Sequence, residues 1–227
     1  MDAAGNVYLG GVCDDRLDFG DGERTGGGGY LAKLDPTGQV LWTRQLATQD
    51  VAASYAVPDA FRADGAGNVH VAGSLVGTVA FEAFGAGETW TSAGGFDLFV
   101  LQLGPSGELV WSTLVGDTFD EYAGGLDLDA AGDVLVGLYG GGGAVDFGGG
   151  PVETDGADVV VGRLTSAGAH VSTVAYVSAA DQFLGSVAVD PVGDVVIAGG
   201  FAGSVDFGAG PHTSSGGLDV FVAKLCP

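Results

Sequence analysis

Carboxylates that recur at matching places give this sequence its clearest chemical potential. One set is Asp97, Asp158 and Asp219, each at the start of an apolar run that ends in Leu. Paired carboxylates can hydrolyse a glycoside, one acting as proton donor and the other as nucleophile or base. A catalytic acid should occur once, however, whereas a repeated Asp is typical of a turn whose carboxylate accepts backbone N–H groups. We therefore predict a structural role for this set.

A second recurrent set of acids precedes another group of apolar runs. It comprises Asp50, Asp120 and Asp181, with Asp117 and Glu121 beside the middle member. The same reasoning predicts turn capping here, because no single repeat stands out by a unique pair of acids.

Calcium is the one cofactor that the sequence leaves open. Asp127, Asp129 and Asp133 alternate around a Gly turn, somewhat like a calcium loop, and carboxylate oxygens are the ligands that Ca²⁺ prefers. The segment lacks a further ligating Asp and the terminal Glu of such loops. No other metal or cofactor is expected.

The histidines do not form a metal-binding pattern. His70 and His170 fall within strand-like apolar runs and are predicted to be structural, while His212 lies in a Gly-rich stretch and is predicted to be solvated. None of them has the close spacing of transition-metal ligands. The chain also lacks a Gly-x-Ser-x-Gly element, and no Lys-Ser/Thr follows its Gly runs.

Trp90 is the best single candidate for a ligand contact, because the corresponding Gly-rich stretches carry no equivalent aromatic residue. Trp42 and Trp111 are equivalent to each other, and Ser172 stands at their place in the third repeat. The remaining recurrent aromatic residues are predicted to pack in the core; they are Tyr8, Phe19, Phe81, Phe147 and Phe207.

These residues belong to four imperfect repeats of about 60 residues. An Asp-x-x-Gly-Asn/Asp motif begins each of the segments 2–10, 64–73, 129–137 and 190–199. Two further motifs follow it in constant order: Val/Leu-x-Phe, and a run that ends in one long polar residue and Leu. We place the repeats at about 1–50, 51–116, 117–176 and 177–227, within a single domain of residues 1–227.

Each repeat is predicted to hold four β-strands and no helix. The inner, second and third strands are exemplified by residues 185–190, 194–200 and 219–225, and the outer strand by residues 108–115. Val, Ile and aromatic residues favour strands, and Gly, Pro and Asn supply the turns between them. Several strands are apolar on both faces, which indicates small sheets covered twice, as in the blades of a β-propeller, rather than a sandwich. A solenoid is the competing architecture, but its repeats are usually shorter.

Composition narrows the class of partner. The chain has 227 residues, 44 of them Gly, and a formal net charge of −22, which disfavours nucleic acids and anionic membrane surfaces. It contains neither an apolar run long enough to span a bilayer nor a secretory signal pattern.

Taken together, these repeated motifs resemble the bacterial β-propeller repeats of secreted and cell-surface proteins. The match is carried by Asp-x-x-Gly-Asn-Val at residues 2–7, Val-Asp-Phe-Gly at 205–208, Asp-Val-Phe-Val-Ala-Lys at 219–224 and Leu-Trp at 41–42. The resemblance covers essentially the whole chain. It implies a propeller fold and an extracellular or cell-surface location, and it implies almost nothing about activity, because propellers host many functions.

Two functions therefore remain open. One is a non-enzymatic scaffold or binding module for a protein or a glycan. The other is a glycoside hydrolase or lyase that uses acids near the propeller axis. Unique carboxylates or histidines converging from one repeat would favour the enzyme.

The chain ends carry two further expectations. The first repeat lacks an inner strand and the fourth lacks an outer strand, which predicts an open arc of blades, or part of a longer protein. Cys13 and Cys226 fall at opposite ends of their blades, so they are predicted not to bond, since a disulfide needs Cα atoms within about 7 Å.

Overall fold

The computed structural model describes residues 1–48, 54–81 and 89–225, and within them every regular element is a β-strand. This confirms the all-β prediction. The chain forms two compact halves, an N-terminal half of Met1–Leu114 and a C-terminal half of Val115–Pro227. Within the described ranges, no helix is long and apolar enough to cross a membrane.

Four main sheets follow one another along the chain. The strands of the first two sheets are β1 (Val7–Cys13), β4 (Gly28–Leu34), β5 (Val40–Thr48), β6 (Tyr55–Ala63), β7 (Val69–Val76), β8 (Thr78–Ala80), β9 (Thr89–Thr91), β10 (Asp97–Leu103) and β11 (Leu109–Val115). Those of the other two are β12 (Glu121–Leu128), β13 (Val134–Gly140), β16 (Asp158–Leu164), β17 (His170–Tyr176), β18 (Gln182–Val189), β19 (Val195–Phe201) and β22 (Asp219–Leu225). The first sheet has the strand order β1-β4-β5-β8-β9 and the second has β6-β7-β10-β11. The third has the order β12-β13-β16-β17 and the fourth β18-β19-β22.

The predicted strands and their order are present in these sheets. In the second and third sheets, inner, second, third and outer strands follow one another in space as they do in sequence. The first sheet contains the second, third and outer strands of its repeat, and the fourth sheet contains the inner, second and third. Each neighbouring pair is antiparallel where its register is defined, for example between β13 and β16.

Two sheets pack face to face within each half by the same contact. In the N-terminal half, the ring of Phe61 on β6 lies over Gly10 of β1, where a Cβ would come within 2.0 Å of the ring. In the C-terminal half, Leu184 and Val187 on β18 lie over Gly137 of β13, where a Cβ would come within 2.2 Å of Leu184. In both halves, a glycine on a second strand thus leaves room for side chains of the next sheet's inner strand to pack against it.

The Gly-rich stretches form short hairpins between the second and third strands. These are β2 (Arg16–Leu17) with β3 (Arg24–Thr25), β14 (Ala144–Val145) with β15 (Val152–Glu153), and β20 (Ser204–Asp206) with β21 (Pro211–Thr213). Their Asp-Phe-Gly turns close alike, because Asp18, Asp146 and Asp206 each accept two backbone N–H groups from the glycines that follow. The second repeat differs: its hairpin β8–β9 pairs with β5 and extends the first sheet.

Candidate functional site

The Asp-x-x-Gly-Asn/Asp motif forms the same tight turn in all four repeats. In each turn one carboxylate oxygen accepts the N–H groups two and four residues further along. The four carboxylates belong to Asp2, Asp64, Asp129 and Asp190. One oxygen of each is thereby committed to the turn, and the other is left for a partner.

That partner is the long polar residue near the end of the third strand. Lys33 Nζ lies 3.5 Å from the Asp2 carboxylate, and Lys224 Nζ lies 2.7 Å from that of Asp190. Arg163 pairs with Asp129 and also donates from Nε to Asp133 at 3.1 Å. Gln102 holds the equivalent place in the second sheet, opposite His70.

The contacts of Asp2 and Asp190 shift the pKa of both carboxyl groups. Burial opposes ionisation of Asp2, but hydrogen bonds from Asn6 and Tyr8 and the charge of Lys33 outweigh it and lower the pKa of Asp2 to about 2. The hydrogen bond from Lys224 lowers the pKa of Asp190, and the bonds to Asp190 and Asp194 raise that of Lys224. These acids are therefore charged at neutral pH and are neutralised locally.

The three calcium candidates are not brought to one point. Asp129 and Asp133 converge on the guanidinium of Arg163, whereas the Asp127 carboxylate accepts the N–H of Val189 at 2.9 Å. Within the described residues, no group of three or more acidic, His or Cys side chains could hold a metal ion. Calcium binding stays a prediction. In this structure the cation that contacts Asp129 and Asp133 is the guanidinium of Arg163.

In the first sheet the surroundings of the cation are filled by aromatic side chains. Tyr8 stands opposite Lys33, which stands opposite Trp42, so all three share one face of the sheet. The Tyr8 hydroxyl lies 3.1 Å from the Asp2 carboxylate and 3.2 Å from the carbonyl of Gly67, which spans two neighbouring turns. Trp42 Nε1 donates to the carbonyl of Pro105 at 3.1 Å.

The third sheet lacks both aromatic residues, and a groove opens there. Leu135 and Ser172 flank Arg163 across the strands, at the places of Tyr8 and Trp42. The space between the Asp129 turn and the Asp190 turn is a groove of about 580 Å³. It is lined by residues that include Leu128, Asp129, Arg163, Asp190, Pro191 and Val192. We call it the Arg163 groove.

The Arg163 groove combines polar and apolar walls. The Arg163 side chain is 32 % exposed, and its bonds to Asp129 and Asp133 use Nε and Nη2. Among the described residues the N–H groups of Nη1 have no partner, so they remain for a ligand. Pro191 and the exposed Val192 provide apolar surface beside them. Such a mixture suits an uncharged ligand with hydroxyl groups and C–H faces.

The acids that recur at strand starts have the structural role that the sequence predicts. The Asp97 carboxylate accepts the backbone N–H of Ala93, and that of Asp219 accepts the N–H of Ser215. Asp158 accepts two, from Asp155 at 2.7 Å and from Ser178 at 2.9 Å.

Carboxylate capping, which the sequence predicts for the second set of acids, is confirmed at Glu121 and Asp117. Glu121 is fully buried and accepts the N–H of Asp117, whose own carboxylate accepts the N–H groups of Phe119 and Ala144. At Asp120 and Asp181 the backbone carbonyl accepts an N–H group, from Gly141 and Ala202 respectively. Asp50 lies outside the described residues.

The sequence also predicts the surroundings of the histidines and cysteines. His70 is buried as predicted, and burial lowers its pKa, so it is neutral near pH 7; His212 is exposed as predicted. His170 is only half-buried, with its ring beside Gly149 and Thr173. The Cys13 thiol lies 2.9 Å from the carbonyl of Arg16. The prediction that Cys13 and Cys226 do not bond concerns Cys226, which lies outside the described residues.

Trp90 is half-buried and not a freely exposed ring. It packs edge-on against Phe81 with the ring centroids 4.5 Å apart, and its centroid lies 6.1 Å from that of Phe99. Core packing of the β8–β9 hairpin accounts for this residue, and a ligand contact through its remaining surface stays a prediction.

Asp59 is an acid that sequence reasoning missed. The inner strands β6, β12 and β18 each carry a β-bulge at the same place, and the extra residue is Asp59, Gly124 or Gly185. Asp59 accepts a hydrogen bond from Ser74 at 3.3 Å, and partial desolvation raises the pKa of its carboxyl. The absence of an acid at the other two bulges was the available signal.

The Arg163 groove was also missed, although its signal was in the sequence as the loss of Trp in the third repeat. Neither a model of a known protein family nor a curated protein sequence matches this chain.

Proposed function

We propose that this chain is a non-enzymatic binding module of the β-propeller type, displayed outside the cell or on its surface. Three features support the proposal: the meander order of the four sheets, the strands buried on both faces, and the repeated contact of inner strands with glycine-bearing second strands. The proposal that the protein is bacterial and secreted rests on the resemblance of its repeated motifs to cell-surface propeller repeats.

The ligand that fits best is a neutral saccharide bound in the Arg163 groove. The observation that carries this assignment is the opening of the groove in the third sheet, where the aromatic residues of the first sheet are absent. Its volume of about 580 Å³ lies within the range of roughly 300–1,000 Å³ typical of small-ligand sites. Arg163 is already neutralised by two acids and the chain is strongly acidic, so anionic ligands are disfavoured.

A glycan and peptide array, probed with and without calcium, tests this function. We expect saccharides to be retained, and we expect Arg163→Lys to weaken retention at least tenfold. Lysine occupies the same place in the first and fourth sheets and keeps an ion pair with the turn, but it lacks the additional guanidinium N–H groups. Lys224→Arg is the matched control and should leave retention unchanged. Retention of peptides alone would overturn the saccharide assignment.

Glycoside hydrolysis is a second candidate function, and the observation that favours it is the position of Asp59. This acid occurs at one of three equivalent bulges and has a raised pKa, as a general acid requires. Chromogenic glycosides test it: hydrolysis by the chain that is lost in Asp59→Asn but kept in Asp18→Asn would support the enzyme. No hydrolysis by the unmodified chain would exclude this candidate for the substrates tried.

A further inference from the structure

The hydroxyl group of Tyr8 shows what the space between two neighbouring Asp turns can hold. It lies 3.1 Å from the Asp2 carboxylate of one turn and 3.2 Å from the Gly67 carbonyl of the next. A hydroxyl has one proton to donate and two lone pairs that accept, so it can donate to either oxygen. The N-terminal half therefore contains a hydroxyl group held by a carboxylate and a carbonyl.

The same two acceptors line the Arg163 groove in the C-terminal half. Asp129 holds the place that Asp2 has in the first motif. Gly193 holds the place that Gly67 has in the second motif, and Asp129 and Gly193 both line the groove. The two glycines have φ angles of 86° and 96°, and each donates its N–H to the backbone carbonyl of the Asp three residues before it, so their turns are alike. Leu135, which stands where the first sheet has a tyrosine, offers these acceptors no hydroxyl.

The Asp129 carboxylate has fewer donors than that of Asp2. The second oxygen of Asp2 accepts from the Asn6 side chain at 2.8 Å and from the tyrosine hydroxyl. Asp133 stands at the place of Asn6, and an ionised carboxylate cannot donate. Among the side chains that the structure describes, Arg163 alone donates to this oxygen of Asp129. Because the Asp129 side chain is only 9 % exposed, a largely buried acceptor has room for a further donor.

We propose that the Arg163 groove contains a hydroxyl subsite, formed by the Asp129 carboxylate, the Gly193 carbonyl and the guanidinium. A ligand hydroxyl takes the place there that the Tyr8 hydroxyl has in the first sheet: it donates to Asp129 or Gly193 and accepts from Nη1 of Arg163. The subsite rests on the saccharide function proposed above and deepens it, because it makes these groups the ones that select the ligand. The groove should take saccharides in which the hydroxyl at this position is free, and reject those in which it is methylated or acylated, since the acceptors would then be left without a donor.

Tyrosine and phenylalanine at residue 135 test the acceptors in the full chain without any ligand. Leu135→Tyr carries a hydroxyl at the place of the Tyr8 hydroxyl, and Leu135→Phe has the same ring without it. We expect the Tm of Leu135→Tyr to be higher by about 2–4 °C, the effect of one net hydrogen bond in a chain of this size. Val110→Tyr and Val110→Phe, at an exposed position of β11, are the matched control and should have equal Tm values. Equal Tm values for the two variants of Leu135 would overturn the subsite.

A small-molecule probe tests whether a separate molecule is held in the same way. Leu135→Ala frees the space of the leucine side chain, and 4-methylphenol is the tyrosine side chain as a free molecule. By titration calorimetry, this variant should bind 4-methylphenol about tenfold more tightly than toluene, which lacks the hydroxyl. The unmodified chain is the control and should show no such preference. Equal binding of the two compounds by Leu135→Ala, or binding of neither, would overturn the subsite. If Leu135→Ala does not fold, the Tyr and Phe variants decide.

Saccharide retention on the array distinguishes failure of the subsite from failure of the proposed function. A hydroxyl-dependent Tm and a preference for 4-methylphenol, with no saccharide retained, would overturn the saccharide function and still support the hydroxyl subsite. Retained saccharides, with equal Tm values for Leu135→Tyr and Leu135→Phe, would support the function and overturn the subsite.

Discussion

Leu135 stands opposite Arg163 in the third sheet, at the place that Tyr8 holds opposite Lys33 in the first. The Tyr8 hydroxyl bridges two neighbouring turns, and leucine has no group that could do so. The same backbone register therefore gives a filled contact in one half and an open groove in the other. Leu135 and Ser172, in place of the aromatic residues of the first sheet, are the sequence differences that accompany the groove.

Gly10 is predicted to be intolerant of any side chain. Its Cβ would come within 2.0 Å of the Phe61 ring, so Gly10→Val should lower the free energy of unfolding by about 1–3 kcal/mol, the usual cost of overpacking. Gly65→Val is the control, because nothing lies within 4 Å of its Cβ and the residue is exposed. Urea denaturation of both variants checks this. Equal loss of stability in the two would show that the glycine contact between the sheets is not needed.

Asp158 should matter more for stability than its counterpart Asp219. It is fully buried and accepts two backbone N–H groups, so Asp158→Ala leaves them without an acceptor and should cost about 1–3 kcal/mol. Asp219 is only half-buried and accepts one. Thermal unfolding should show the larger decrease in Tm for Asp158→Ala, and the reverse order would contradict the capping role.

Acid is predicted to destabilise the chain partly through Asp2. Its pKa falls from the ordinary value of 3.8 to about 2 in the folded state, so its contribution is complete above about pH 4 and is lost as the pH falls through about 2. Asp2→Asn should therefore reduce the dependence of stability on pH between these values. Denaturation profiles of both proteins at pH 2, 3, 4 and 7 measure it, and parallel profiles would show that Asp2 is not responsible.

His70 is predicted to add a second pH dependence at a higher range. Burial lowers its pKa below the ordinary value of 6.5, so the unfolded chain takes up a proton before the folded chain does. Stability should fall as the pH drops below about 6.5, and His70→Gln should remove this component. His212→Gln is the control, since His212 is exposed. A profile that both substitutions leave unchanged would contradict a neutral buried His70.

Much of the fold was predictable from sequence because strand length, turn residues and repeat spacing are local properties. The long polar residues at 33, 102, 163 and 224 were visible as a pattern, but their pairing with the Asp turns was not, because it depends on the register between strands. The β8–β9 hairpin joins the first sheet through β5, a contact that its own repeat does not encode. The bulge at Asp59 leaves no mark in an apolar pattern, so only the comparison with Gly124 and Gly185 at the same place in other repeats distinguishes this acid.

The most direct test of saccharide binding in the Arg163 groove is isothermal titration of the array-selected saccharide into the chain and into Leu135→Tyr. A tyrosine there restores the arrangement of the first sheet, in which its hydroxyl would span the Asp129 and Asp190 turns and close the groove. Val196→Tyr, at the equivalent place in the fourth sheet, is the matched control. We predict that Leu135→Tyr lowers affinity at least tenfold while Val196→Tyr binds as the unmodified chain does. Unchanged affinity in a correctly folded Leu135→Tyr protein would contradict the assignment of the groove as the ligand site.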